Sequence, residues 1–475
     1  MNRRDFLTKS TQAGAGFALG GFLARAYGNP SAVGPLAATA ISPNDRVLVI
    51  VRLDGGNDGL NTLIPFESND YYNSRPNIAI PAGRAKINRL TETNGLHPAL
   101  SGFRRMFDSG TMTAVQGVGY PNPNRSHFRA TDIWLTGSES DEVLNTGWLG
   151  RYLEAVHPDF PNTLPSQPLA IDIGPVLSLS LLGRNGGLGI ALRDPQEFFD
   201  LVNLGNKNVE GSNHLTPAGF ELDFIRQVNI ESIQYSSQIR SAAERGRNAV
   251  EYPDTTLAQQ LAMISRLIAG GLRSRIYLVS QRGYDTHSNQ DGRQEDLLKD
   301  LDEAIFAFQN DLDRLGQAHR TLGMTISEFG RRVAENGSAG TDHGTAAPLF
   351  LFGPEVKGGI VGPDPNFRHT DSRGDFHHTY DFRQVYASLL KSWFEVPADL
   401  ISSVLPGQSS FLPLLNEAPD LEAVDFTGDG KVDFSDFLSF ARGFGQEDPA
   451  YDVDGDGQTG FSDFVSFARG YGKHR

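Results

Sequence analysis

"RVLVIVRLDGGNDGLNTLIP", residues 46–65, starts with an almost unbroken apolar run and closes on a Gly/Asn/Asp turn. A run of this kind leaves no solvated face, so it reads as a strand covered on both sides, as in the parallel sheets of α/β proteins. Asp54, Asp58 and Asn61 follow the strand, and the glycines between them let the backbone approach a ligand closely. The plain alternative is a turn that happens to be rich in Asp and Gly. The stretch alone does not choose.

Working outward, "TMTAVQGVG" (111–119), "SRIYLVS" (274–280), "TLGMTISEF" (321–329) and "APLFLFG" (347–353) read as further strands. Helices are predicted for "TTLAQQLAMISRLIAGGL" (255–272) and "QEDLLKDLDEAIFAFQNDLDRLGQAH" (294–319). In the second, Leu297, Leu301, Ile305, Phe308 and Leu312 recur at the spacing of one buried helix face. "HHTYDFRQVYASLLKSWF" (377–394) reads as a helix capped by Asp381, with Tyr386, Leu389, Leu390 and Trp393 as core, and with His377 and His378 either near the site or, more simply, at the surface. Strands alternating with helices give an α/β domain, a mainly parallel sheet with helices on both faces, over residues 41–415. Ligands of such sheets collect at the carboxyl ends of the strands.

Composition narrows the function. With 57 acidic against 42 basic side chains, the net charge of -15 argues against a nucleic-acid partner. There is no cysteine, so metal sites must use Asp, Glu, His or Asn. Arg3 and Arg4, the mild apolar run "AGAGFALGGFLA" and "ARA" at 24–26 have the form of a twin-arginine export signal over residues 1–26. The expected location is therefore periplasmic or extracellular. No later stretch reaches the roughly 18 apolar residues of a membrane span.

Unusual polar residues gather at or near the strand ends. Besides Asp58 there are Arg125, Ser126, His127 and Asp132 in "YPNPNRSHFRATDIW" (120–134) and Asp285 and His287 in "YDTHSNQ". Glu328 lies in "SEFGRR", with Arg331 and Arg332 behind it, and Asp342 and His343 lie in "GTDHGTAAPLFLFG". Any one of these reads as an ordinary surface loop. Together at one sheet edge they offer the carboxylates and imidazoles that zinc, manganese or iron takes in the absence of thiols. Ser126 reads either as an activated nucleophile or as the N-cap of a helix.

After the bridge "NEAPDLEA" within 416–424, the sequence duplicates itself. "DFTGDGKVDFSDFLSFARGFG" (425–445) and "DVDGDGQTGFSDFVSFARGYG" (452–472) share 14 of 21 positions at a period of 27 residues. Asp425, Thr427, Asp429, Asp433 and Asp436, with the Lys431 carbonyl, take the oxygen positions of an EF-hand-type Ca2+ loop. Asp452, Asp454, Asp456 and Asp463, with the Gln458 carbonyl, do so in the second copy. Gly430 and Gly457 allow the sharp bend. Phe437, Phe440, Phe444, Phe464, Phe467 and Tyr471 form an aromatic stripe expected as core between paired helices. With Asp at the last loop position, residues 425–475 resemble the dockerin-type calcium repeats of secreted bacterial proteins, a small all-α module.

"LDGGNDGLNTLIP", "YYNSRPNIAI", "LHPALSGFRRMF", "GVGYPNPNRSHFRATDIWLTG", "GYDTHSNQ", "SEFGRRVAENGSAGTDHGTAAPLFLFG" and "YDFRQVYASLL" together resemble the exported bacterial family called domain of unknown function 1501. That family is grouped with alkaline phosphatases and sulfatases, so the resemblance implies an alkaline phosphatase-like α/β fold. It further implies Ser126 as a nucleophile beginning a helix, and Asp58 (or Asp54), Asp285, His287 and His343 as ligands of zinc or another divalent transition metal. Ser327 and Glu328 replace the Asp-His pair of the superfamily, which puts one metal site in question, and no formylglycine signature surrounds Ser126.

The leading expectation is an exported metal-dependent hydrolase of phosphate or sulfate esters. Glu328 would be a ligand or base, Arg125 would pair with an anionic ester oxygen, and His127 would bind the substrate or leaving group. The rival is a non-catalytic protein that binds a surface glycan or protein and docks through its calcium repeats.

Overall fold

The structure, a computed structural model, describes residues 45–81, 87–205, 235–408, 410–416, 421–446, 448–453 and 457–471. The export segment 1–26, the start of the large domain at 41–44, residues 417–420 of the bridge, Asp454 and Asp456 lie outside them. The chain divides into two compact units, Met1–Leu415 and Asn416–Arg475. No helix among the described residues is long and apolar enough to cross a membrane.

The strands of the larger unit, in chain order, are β1 (Val47–Asp54), β2 (Leu63–Ile64), β3 (Asn88–Arg89), β4 (Gly95–Leu96), β5 (Met112–Gly119) and β6 (Ala170–Ile173). There follow β7 (Ile190–Leu192), β8 (Ile276–Arg282), β9 (Thr321–Ile326), β10 (Ala347–Phe352), β11 (Gly359–Val361) and β12 (Tyr380–Asp381). Nine of them form one sheet in the order β11-β5-β10-β9-β1-β8-β6-β7, with β12 also paired to β5, and β2, β4 and β3 form a small separate sheet.

β1 is central and pairs in parallel with β8 on one side and β9 on the other. Its apolar run follows from its place. Val47, Val49, Val51 and Leu53 pack with the helices Ser101–Asp108, Thr256–Ala269 and Gln290–Arg314. Leu48 and Ile50 pack on the other face with the helices Trp148–Val156 and Phe382–Ser392. Strand side chains alternate between faces, so covering both faces leaves the run from Val47 to Val51 wholly apolar, with Arg52 and Asp54 only at its carboxyl end.

The one reversal among these pairings is β10, which runs antiparallel to both β5 and β9. Its last residues, Leu351 and Phe352, sit opposite Met324 and Gly323 near the start of β9. Its first residue therefore lies at the edge where β1, β8 and β9 end. The loop before β10 thus meets the loops that follow the other strands.

Helix boundaries have local causes. Asp381 accepts from the Arg383 N–H at 2.9 Å, and the Gln384 side chain accepts from the Asp381 N–H at 3.0 Å, the reciprocal capping box. Tyr386, Leu389, Leu390 and Trp393 are buried behind this cap. The long helix starts at Gln290, four residues before the expected 294, and ends at Arg314 before the left-handed Gly316. Leu297, Leu301, Ile305, Phe308 and Leu312 are all buried in it. From the same helix, Asp302 accepts from the N–H groups of Gly102 (2.8 Å) and Phe103 (2.7 Å), capping Ser101–Asp108 from outside.

In the smaller unit the helices Phe434–Gly443 and Phe461–Gly470 bring Phe440 and Phe467 together, stacked with ring centroids 5.8 Å apart. Both are buried, whereas Phe444 and Tyr471 remain half exposed. Each of the latter is the residue at which its helix has ended, with extended ψ, so it leaves the helical face. Phe437 and Phe464 pack partly buried against this small core, so the predicted stripe is core except at its C-terminal ends.

Candidate metal centre

Asp285 and His287 follow β8, His343 precedes β10, and His127 begins the helix His127–Thr136 after β5. The sheet order brings these three segments to one point. His127, Asp285 and His343 each offer a ligand atom, all within 4.8 Å of one another. Asp285 Oδ1 lies 3.1 Å from His287 Nε2, 3.1 Å from His343 Nε2 and 3.4 Å from His127 Nε2. The Nε2 atoms of His287 and His343 are 3.0 Å apart. A tetrahedral zinc with bonds of about 2.0–2.1 Å separates its ligand atoms by roughly 3.3 Å, close to these spacings.

The other ring nitrogens show what the Nε2 atoms can do. His343 Nδ1 is 2.8 Å from the carbonyl oxygen of Arg125, which can only accept, so Nδ1 carries the proton. His287 Nδ1 faces Asp342 Oδ1 at 3.2 Å, and His127 Nδ1 faces Glu328 Oε1 at 3.0 Å. In its neutral form, with Nδ1 protonated against these acceptors, each imidazole turns an Nε2 lone pair inward. Paired carboxylates or carbonyls behind metal-ligating histidines do the same, fixing the tautomer and raising basicity. Two such lone pairs at 3.0 Å repel unless a cation, either a proton or a metal ion, stands between them. The donor set of imidazoles and one carboxylate fits a divalent transition metal.

Burial keeps His343 below the usual histidine range, which favours the neutral imidazole a metal needs. Burial opposes ionisation of Asp285, but hydrogen bonds from Arg331 and His343 and the Arg331 charge outweigh it, holding the carboxyl at about 2. The Asp342 carboxyl is held low by the Asn336 amide and by His287.

Arg331 is buried and ties the loops together. It donates to Asp285 Oδ1 and the Tyr284 carbonyl, to the Gly56 carbonyl at 2.8 Å, to the Thr341 carbonyl at 2.9 Å, and to the Gly55 carbonyl. Glu328 Oε1 also accepts from the Gly55 N–H at 2.7 Å. Gly55 has a φ of +119°, and a Cβ there would lie 2.4 Å from the Asp285 nitrogen, so only glycine lets these loops close. The Phe329 ring lies against His127 and His343, with centroids 5.0 and 4.6 Å away.

Other expected site residues are placed differently. Asp58 is fully buried, 2.6 Å from the equally buried Arg75 guanidinium, and it also accepts from Gln290. Gln290 in turn accepts from the hydroxyls of Thr286 and Thr341, so Asp58 supports the metal-cluster loops from behind. The Arg125 guanidinium is turned to Asp371 and Asp375, 2.7 Å from each, rather than left free for an anion. Asp54 pairs with Arg52. Ser126 is exposed at the N-cap, its N–H bonded to Asn124 Oδ1 at 2.9 Å, and its hydroxyl makes no capping bond. It stands between Arg125, whose carbonyl holds His343, and His127. A cavity of about 290 Å³ is lined by His369, His377, His378, Asp364, Gln116 and Arg331 among others.

In the smaller unit, Asp425 accepts from the N–H groups of Asp429 (3.1 Å) and Gly430 (2.9 Å). Asp436 accepts from those of Thr427 and Asp433, both at 2.8 Å. In the second loop Asp452 accepts from Gly457 (2.9 Å), and Asp463 accepts from Val453 and Gly460, both at 2.7 Å. Gly430 and Gly457 have φ of +82° and +91°. In both loops the first and last carboxylates accept backbone N–H groups of the loop.

The chain matches none of the curated proteins. Among solved structures, "Ps i-CgsB in complex with k-i-k-neocarrahexaose" is 10% identical over 78% of this chain and 73% of that chain, with a TM-score of 0.32. The C-terminal periplasmic domain of EcEptC from Escherichia coli, in complex with Zn, is 11% identical over 68% and 77%, at 0.32. A protein in the alkaline phosphatase superfamily from Vibrio parahaemolyticus is 12% identical over 73% and 71%, also at 0.32. Likenesses of this size carry no argument about chemistry, which rests on the geometry above. Residues 113–402, a narrower span than the 41–415 expected, match the family described as "Protein of unknown function (DUF1501)", and the chain belongs to that family.

Proposed function

We propose that the chain is an exported, metal-dependent hydrolase of phosphate or sulfate esters that carries a calcium-binding C-terminal module. The observation that carries this reading is the convergence of histidine Nε2 atoms on Asp285 Oδ1, at a sheet edge where α/β folds bind ligands. Asp285, His287 and His343 would hold a divalent transition metal such as Zn2+. When bound, such an ion supplies positive charge for the developing anion of ester cleavage.

The remaining work falls to the chain's own residues. Ser126 Oγ attacks phosphorus or sulfur, the bond from that atom to the ester oxygen breaks, and the serine proton passes to that oxygen as the alcohol leaves. Water then cleaves the seryl ester, restoring the Ser126 hydroxyl and releasing phosphate or sulfate. The free N–H groups of the helix His127–Thr136 favour an anion beside Ser126. Glu328 and Asp342 hold His127 and His287 in their tautomers. Asp371 and Asp375 fix Arg125, and with it the carbonyl that orients His343.

In the smaller unit, Ca2+ would bind Asp425, Thr427, Asp429, Asp433, Asp436 and the Lys431 carbonyl, and Asp452, Asp463 and the Gln458 carbonyl with Asp454 and Asp456. The all-oxygen donor set suits this cation.

The full-length protein loaded with Zn2+ should hydrolyse an aryl phosphate or an aryl sulfate, and Ser126→Ala should abolish turnover while metal content stays the same. Unchanged activity in the variant would rule out the nucleophile. A second reading, a binding protein without catalysis, is favoured by the engaged Arg125 guanidinium and the sequestered Asp58. Metal present, with no turnover across a panel of phosphate and sulfate esters, would support it.

A further inference from the structure

We infer that His127 is itself a metal ligand, that it joins Asp285, His287 and His343 in a single site, and that no second transition-metal ion binds. This deepens the metal-hydrolase reading and rests on it for the first three ligands. It concerns the residue directly after the candidate nucleophile, so it decides how Ser126 is held.

The first ground is hydrogen-bond accounting. Asp285 Oδ1 already accepts from Arg331 at 2.8 Å, yet three imidazole nitrogens also face it at 3.1–3.4 Å. The Nδ1 atom of each ring already faces an acceptor (Glu328, Asp342 or the Arg125 carbonyl), so three Nε2 atoms crowd one oxygen that Arg331 already occupies. His127 is built like His287, with a carboxylate behind Nδ1 and Nε2 turned to the same oxygen. A group meant to donate to substrate or leaving group would instead keep a proton on Nε2 and aim it at solvent.

The second ground is the fate of Asp58. Both its carboxylate and the Arg75 guanidinium are fully buried, and their contact is 2.6 Å. Asp58 Oδ1 has no hydrogen-bond partner, but it is one oxygen beside a fixed cation, and charge repulsion disfavours an ion there. Asp58 belongs to no group of three or more ligand residues gathered among the described residues. The guanidinium supplies, without metal, the positive charge this carboxylate needs.

The test uses the full-length protein, stripped by chelator, restored with Ca2+ and titrated with Co2+. Elemental analysis should give one Co2+ per chain, with the intense visible bands of a four-coordinate ion. Proton NMR of this wild-type form should show three exchangeable, hyperfine-shifted imidazole N–H resonances, one for each ligating histidine. His127→Ala should lose one of them and weaken Co2+ binding by more than the ~10–100-fold typical of losing an outer partner. Two ions per chain, or only two shifted resonances in the wild type, would overturn the inference while leaving the hydrolase reading intact. No bound Co2+ at all would overturn both. The wild-type spectrum counts the ligating histidines even if the variant does not fold.

Discussion

The Nδ1–H of His343 donates to the backbone carbonyl of Arg125 across 2.8 Å, although the two residues are 218 positions apart in sequence. The residue before the candidate nucleophile thus fixes which nitrogen of a distant histidine is free to bind metal. Ser126, the tautomer of His343 and the placement of His127 are parts of one arrangement.

Glu328→Gln tests the outer ring of that arrangement. The amide can still accept from His127, but the charge that raises the basicity of the imidazole is gone. Zinc affinity should fall ~10–100-fold with the fold intact, and Asp342→Asn should act similarly through His287. Competition with a chelating dye measures both, and undiminished affinity in both variants would sink the positioning role.

Asp58→Asn leaves the Arg75 guanidinium buried without its carboxylate. Breaking a buried pair from one side costs about 3–5 kcal/mol, so the midpoint of denaturant unfolding should drop markedly. Transition-metal content of the surviving folded protein should not change. A variant as stable as the parent would mean that the pair is not formed in solution.

Asp302 makes stability depend on pH. Burial pushes its carboxyl from 3.8 to about 6, against the two N–H groups it caps. The folded chain keeps this proton up to about pH 6, while the unfolded chain releases it near 3.8. The stability contributed through Asp302 is therefore greatest in acid and falls as pH rises through that window. The stability difference between the parent and Asp302→Asn should shrink across it by roughly 1–3 kcal/mol. Parallel curves from about pH 4 to 7 would contradict the assignment.

Asp436→Ala tests the calcium loops. The carboxylate accepts from the N–H groups of Thr427 and Asp433, which brings the two ends of the loop together. Its removal should weaken one of two calcium-binding events in calorimetry by roughly an order of magnitude or more. Two unaltered events would exclude the loop.

The sequence shows the frame more plainly than the site. β1, β5, β8, β9 and β10 announce themselves because strands covered on both faces are long and apolar. β6 and β7, with four and three residues, are too short to display a period. Asp285, His287 and His343 stand out as metal-ligand types beside strands. The sequence offers no sign that Arg75 neutralises Asp58, or that Asp371 and Asp375 claim Arg125. Those pairings depend on contacts made only when the chain is folded, in the second case across about 250 residues. Charged groups were legible as candidates; which of them were already spoken for was not.

Arg331 has a consequence for how the centre can change. Its guanidinium holds carbonyls of the loops after β1, β8 and β9, together with Asp285. Those loops cannot drift apart in length or composition one at a time, because a change in any of them misplaces the donor shared by all. Grafting this centre onto another sheet would mean moving the three loops and their common arginine as a single part.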